Sequence, residues 1–97
     1  MIKLYKVSKF AEDYYKNSVK DKFEYSSEDI QKKLTRNIHL ANELPNITKN
    51  IKIYQYGNLI IITKRHKIIW LHNLNGIVHF EVDDFHKRKL NKLLDIK

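Results

Sequence analysis

Between Ile51 and Val82, short runs rich in β-branched and aromatic residues alternate with breaks of only two or three residues, and this spacing leaves little choice of architecture. The runs are Ile51 to Tyr56, Leu59 to Lys64, Lys67 to Asn73 and Ile77 to Val82. They are separated by Gly57-Asn58, Arg65-His66 and Leu74-Asn75-Gly76. Parallel neighbours need a crossover of about a dozen residues or more, so connections this short dictate hairpins. The expected unit is a four-stranded antiparallel meander, with Asn75-Gly76 the strongest turn signal.

The flanks supply helices. Ile2 to Val7 alternates as a half-buried strand. Ser8 then stands as an N-cap before Ala11, Tyr15, Val19 and Phe23, which recur every four residues as an inward stripe. Ser18 with Asp21 is a second start signal, so a break falls near Asn17. Ser26, or Ser27, precedes another helix, with Asp29 at capping-box spacing from Ser26, ahead of Ile30, Leu34, Ile38, Ala41 and Leu44, a helical face that Pro45 closes. Asp83 or Asp84 caps a last helix with Phe85, Leu90, Leu93 and Leu94 as its apolar positions. The expected fold class is α+β: an N-terminal strand and one or two helices, then the four-strand antiparallel meander and a C-terminal helix. Ninety-seven residues suffice for one core, so a single domain over 1–97 is expected.

Charge bears on the partner. Nineteen Lys and Arg stand against eleven Asp and Glu, a formal +8 that attracts polyanions. Most of the cations are Lys, suited to point contact with phosphate rather than bidentate reading of bases. No apolar run approaches the roughly 20 residues that span a bilayer. The first residues alternate where a secretory leader would be continuously apolar, and there is no cysteine for a disulfide framework or thiolate metal site. A cytoplasmic protein with RNA or DNA as partner, and no membrane, is the expectation.

With two-residue turns, Tyr56 opposes Leu59, Lys64 opposes Lys67, and Leu74 opposes Ile77. Ile53, Ile60, Ile62, Ile69, Leu71, Val78, Phe80 and Val82 then share one face, apolar enough to be the core. The other face collects Lys52, Tyr54, Tyr56, Leu59, Ile61, Thr63, Trp70, His72, His79 and Glu81. Rings interleaved with cations suit a single strand, whose bases stack while lysines meet phosphate. Lys52, Tyr54, Tyr56, Trp70 and the tip Lys64, Arg65, His66 and Lys67 are the RNA-binding candidates. His72 and His79, expected opposite one another, could divide acid and base roles in attack by a 2′-hydroxyl, with Glu81 as an alternative base. The histidine spacings match no metal motif, and no cofactor is indicated. The plainer reading makes His72 and His79 idle surface residues, the tip a polar turn, and Trp70, Tyr54 and Ile61 a patch under a terminal helix or at a dimer contact. A slip of one residue would invert the faces.

The order of elements in a basic chain of this size resembles the RelE/ParE-like toxins of bacterial toxin–antitoxin systems and related small ribonuclease toxin domains, by topology over nearly the whole chain. Locally, Tyr56-Gly57-Asn58-Leu59-Ile60-Ile61-Ile62-Thr63 is similar to that family's glycine-led central strand, followed by a turn and Lys67-Ile68-Ile69-Trp70-Leu71-His72. The resemblance implies early helices on one sheet face and, on the other face and its loops, RNA on the ribosome that is cleaved without a metal ion. It also implies an acidic antitoxin. Gly57-Asn58-Leu59 stands where many members have Gly-Tyr-Arg, and Ile77 to Lys97 holds no counterpart of their late Arg and Tyr, so the resemblance assigns no residue a role. The leading expectation is a metal-independent endoribonuclease toxin acting on RNA, ribosome-bound message included. The alternatives are a non-catalytic nucleic-acid-binding regulator and a protein-interaction inhibitor module.

Overall fold

The computed structural model describes residues 3–18, 26–45, 48–74 and 83–96. In chain order the elements are β1 (Lys6–Val7), α1 (Lys9–Ser18), α2 (Ser27–Leu40), β2 (Asn42–Leu44), β3 (Ile51–Tyr56), β4 (Leu59–Lys64), β5 (Lys67–Asn73) and α3 (Asp84–Leu93). The protein is α+β. Its sheet runs β1-β5-β4-β3-β2, antiparallel except where β1 lies parallel to β5. Among the described residues no helix is long and apolar enough to cross a membrane.

Local chemistry explains the helix starts. Ser8 Oγ accepts from the Ala11 N–H, and Ser26 and Asp29 form the reciprocal capping box. Asp83 Oδ1 accepts from the backbone N–H groups of Phe85 and His86. Helix α2 ends earlier than its apolar spacing predicts. Ala41 is already extended, and Asn42–Leu44 pairs antiparallel with β3 instead of completing a helical stripe. Leu44 precedes Pro45, whose ring disfavours the helical region for its predecessor, and an open β3 edge offers ladder partners. The first strand is likewise shorter than Ile2 to Val7. The Tyr5 N–H leaves the ladder and donates to Thr35 Oγ1 on α2 at 3.0 Å.

The two described hairpin turns solve one problem differently. Gly57 has φ +59° and Asn58 has no positive φ, the pattern of a turn that requires glycine first. A Cβ at Gly57 would meet no atom within 4 Å, so conformation rather than space demands the glycine. At the next turn both Arg65 (φ 50°) and His66 (φ 66°) are left-handed, a geometry that favours Asn-Gly. His66 is held there by a ring stack on Tyr5, centroids 3.9 Å apart, and by the Lys6 N–H donating to its carbonyl.

The core corrects the expected sheet faces. Ala11 and Tyr15 of α1 and Ile30, Leu34 and Ile38 of α2 pack with Tyr54, Ile61, Ile68 and Leu71 of the sheet. Tyr54, Ile61 and Thr63, expected on the open face, are buried, whereas Ile53, Ile60 and Ile62, expected as core, lie on the face away from the helices. Strand β4 is apolar on both sides, so alternation alone could not choose between them. The second cause is a β-bulge. Thr63 opposes Ile68 but Ile62 opposes Trp70, leaving Ile69 as an extra residue. Straight pairing from Lys64–Lys67 would set Trp70 across from Ile61; the bulge changes the parity of β5 and puts both Ile68 and Leu71 inside.

Helix α1 lies along the β5 edge, where the Tyr14 hydroxyl accepts from the Asn73 N–H at 2.8 Å and the Ser8 N–H donates to Ile68. Helix α3 lies against α2. Arg36 on α2 is half-buried and donates to Asn91 on α3 and to Asn37. Of the four apolar positions of this helix Leu90 and Leu94 are buried, whereas Phe85 and Leu93 are exposed. The expected strand Ile77 to Val82, with its Asn75-Gly76 turn, lies outside the described residues, as do Val19 and Phe23.

Candidate nucleic-acid interface

The outer sheet face can be written as rows from the strand registers. Lys6 on β1 pairs Lys67 on β5, which pairs Lys64 on β4, so three exposed lysines lie side by side across three strands. Like charges directly opposite one another destabilise a sheet. The row therefore costs the fold stability rather than adding to it. The next row on the same face is Trp70, Ile62, Ile53 and Leu44, and the one after it is His72, Ile60, Gln55 and Asn42.

Trp70 is thus the nearest outer-face neighbour of Lys67 along β5, because the bulge removes Ile69 from the count. Its indole stacks on Phe10 of α1, with centroids 4.8 Å apart and planes at 20°, yet the two residues stay 46% and 50% exposed. This is an aromatic platform with open ring surface beside a line of cations. His72 is exposed, one outer-face step further from the lysines.

The opposite side of the same sheet end holds a small hollow of about 160 Å3. Lys49, Lys52 and Arg65 bring charge to it, and Tyr5, Thr63 and His66 form part of its wall. Glu43 lies 4.0 Å from Lys52 Nζ with both side chains half exposed, a weakly held pair. His66 Nε2 is buried without a hydrogen-bond partner. Beneath lies Tyr54, whose phenol is held well above its ordinary pKa, chiefly by burial and then by a hydrogen bond shared with the Tyr5 hydroxyl.

A larger cleft of about 340 Å3 opens among β1, α1 and the start of α2, lined by Lys6, Glu12, Gln31 and Lys67 among others. Glu12 Oε1 is buried there and lies 3.9 Å from Lys16 Nζ, a charge contact too long for a hydrogen bond. Among the described residues no three His, Asp or Glu side chains converge as a metal site.

The site residues expected from sequence are therefore divided. Lys64, Lys67, Trp70 and His72 share the outer face, whereas Lys52, Arg65 and His66 meet at the hollow. Tyr54 and Trp70, expected on one face, are on opposite faces, and Tyr54 at 8% exposure cannot stack a base. Tyr56 is on the helix side with Tyr54 and is half-buried. His79 and Glu81 lie outside the described residues, so the His72–His79 and Trp70–Glu81 pairings have no described geometry. Sequence reasoning missed Lys6, Phe10 and Lys49. Lys6 gains its meaning only from a parallel partner some sixty residues away, and Phe10 sits beside the helical stripe rather than in it.

Fold and surface together define a small basic α+β protein with a row of lysines and a cationic hollow at one end of its sheet. A family model named YorE matches residues 5–95, and the chain belongs to the YorE family. No curated protein and no solved structure matches it.

Proposed function

We propose that this protein binds single-stranded nucleic acid, RNA in the first instance, across the outer face of its sheet. One observation carries the reading: the Lys6–Lys67–Lys64 row, unfavourable for the fold, adjoins the half-exposed Trp70–Phe10 stack. Phosphates meet the lysines while a base extends the stack. Lysine contacts and ring stacking both tolerate any base, so the binding is of low sequence specificity.

The test is filter binding of labelled single-stranded RNA over a range of salt. Affinity should fall steeply with salt, and Lys64→Gln with Lys67→Gln should flatten the log–log slope by about 0.7 for each phosphate that is no longer neutralised. Trp70→Ala should weaken binding by about 1–3 kcal/mol with little change of slope. Affinity independent of salt, and equal in both variants, would refute the proposal and favour a protein-interaction module.

A second reading, metal-independent endoribonuclease, is favoured by exposed His72 on the same face directly after Trp70. There an imidazole can exchange a proton with a 2′-hydroxyl or a leaving oxygen near a strand held by lysine and indole. A ribonuclease toxin of the RelE/ParE kind, covered by an acidic antitoxin, is the cellular form of this reading. It expects RNA cleavage in EDTA that His72→Ala abolishes while binding persists. Binding without product would leave the regulator.

A further inference from the structure

The hollow beside the strained turn is separate from the outer-face lysines, although both occupy the same end of the sheet. Three cations, Lys49, Lys52 and Arg65, face it, and Glu43 offsets one of them through its pairing with Lys52. Two positive charges are left over, which matches the charge of about −1.5 to −2 that a phosphate monoester carries at neutral pH. At about 160 Å3 the space is well below the roughly 300–1,000 Å3 of pockets that enclose drug-sized ligands. It has room for one tetrahedral anion. The turn that carries Arg65 is fixed in its backbone. Arg65 is held left-handed between two strands, its N–H donates to the Asn50 carbonyl at 3.3 Å, and the following His66 is clamped on Tyr5. A fold free to relax would place Asn-Gly at this turn; here a cation occupies the first strained position.

We propose that this hollow binds a phosphate monoester, the terminal phosphate of a nucleic-acid strand, with Lys49, Lys52 and Arg65 as its cationic ligands. The identity of the strand rests on the nucleic-acid reading above; the anion site does not. The outer face holds the body of the strand and the hollow its phosphorylated end, so the protein distinguishes ends from internal positions although it reads no sequence.

The experiment compares three short RNAs of one sequence: one with hydroxyls at both ends, one with a 5′-phosphate and one with a 3′-phosphate. One phosphorylated RNA should bind about tenfold or more tighter than the hydroxyl-ended strand, as added charge-assisted hydrogen bonds of ordinary strength would give. Which strand gains identifies the end. The increment should vanish in a Lys49→Gln, Lys52→Gln variant and persist in Trp70→Ala. Inorganic phosphate alone should shift the Arg65 and His66 amide resonances saturably in the native protein and not in the lysine variant. Equal binding of all three strands would refute the terminal-phosphate assignment, and no saturable shift with inorganic phosphate would refute the anion site itself. Because inorganic phosphate is titrated without RNA, failure of the outer-face reading is seen separately, as loss of hydroxyl-ended binding. Both lysines are exposed, and an unchanged circular dichroism melt shows that the variant is folded.

Discussion

Exchanging Arg65 for asparagine should raise stability and lower affinity at once. An L-residue in the left-handed region carries roughly 1–2 kcal/mol of steric cost, and asparagine is among the residues that tolerate it best. At φ 50°, Arg65 bears this cost on an exposed turn, where little packing of its own offsets it. Arg65→Asn keeps the backbone donor to Asn50, because that bond does not involve the side chain. Recovering about half the strain would stabilise the fold by about 0.5–1 kcal/mol, which in a domain of this size raises Tm by about 2–8 °C. The same change removes one of three cations at the hollow, so the advantage of a phosphorylated RNA end should shrink severalfold. Differential scanning calorimetry and filter binding on one preparation read both quantities. An unchanged or lowered Tm would refute the strain argument, and an unchanged phosphate increment would remove Arg65 from the site.

Three further outcomes follow from the packing. Ile61→Ala should cost about 2–5 kcal/mol in urea denaturation because Ile61 is fully buried under the helices, whereas Ile62→Ala on the outer face should cost clearly less; equal costs would contradict the observed facing of β4. Thr35→Val keeps the shape but leaves the Tyr5 N–H without its acceptor, and should destabilise by about 1–3 kcal/mol and loosen the Tyr5–His66 stack, visible as broadening of the His66 ring signals. Stability should decline as pH rises above the ordinary tyrosine pKa of 10.0, because the unfolded chain then releases a proton that folded Tyr54 retains; below that pH both states are protonated and the contribution is complete. Tyr54→Phe should flatten this alkaline limb, and an unaltered limb would show that another group causes it.

Sequence alone determined the parts of this protein that local chemistry governs. Ser8, Ser26 and Asp83 announce their helices because a side-chain oxygen must satisfy the first free N–H groups, whatever lies nearby. The β3–β4 and β4–β5 hairpins and their closing pairs, Tyr56–Leu59 and Lys64–Lys67, follow from turn length. Tertiary structure decided which face of the sheet is buried. Leu59 to Ile62 is apolar on both sides, so the choice depended on where α1 and α2 dock and on a one-residue bulge that no propensity marks. It also turned Asn42–Leu44 from the end of a helix into an edge strand, since a waiting β3 ladder outweighed helical spacing. The candidate interface belongs to this second kind. Lys6 joins Lys67, and Phe10 joins Trp70, only because β1 pairs parallel to β5 and α1 folds along its edge, bringing together segments some sixty residues apart in the chain.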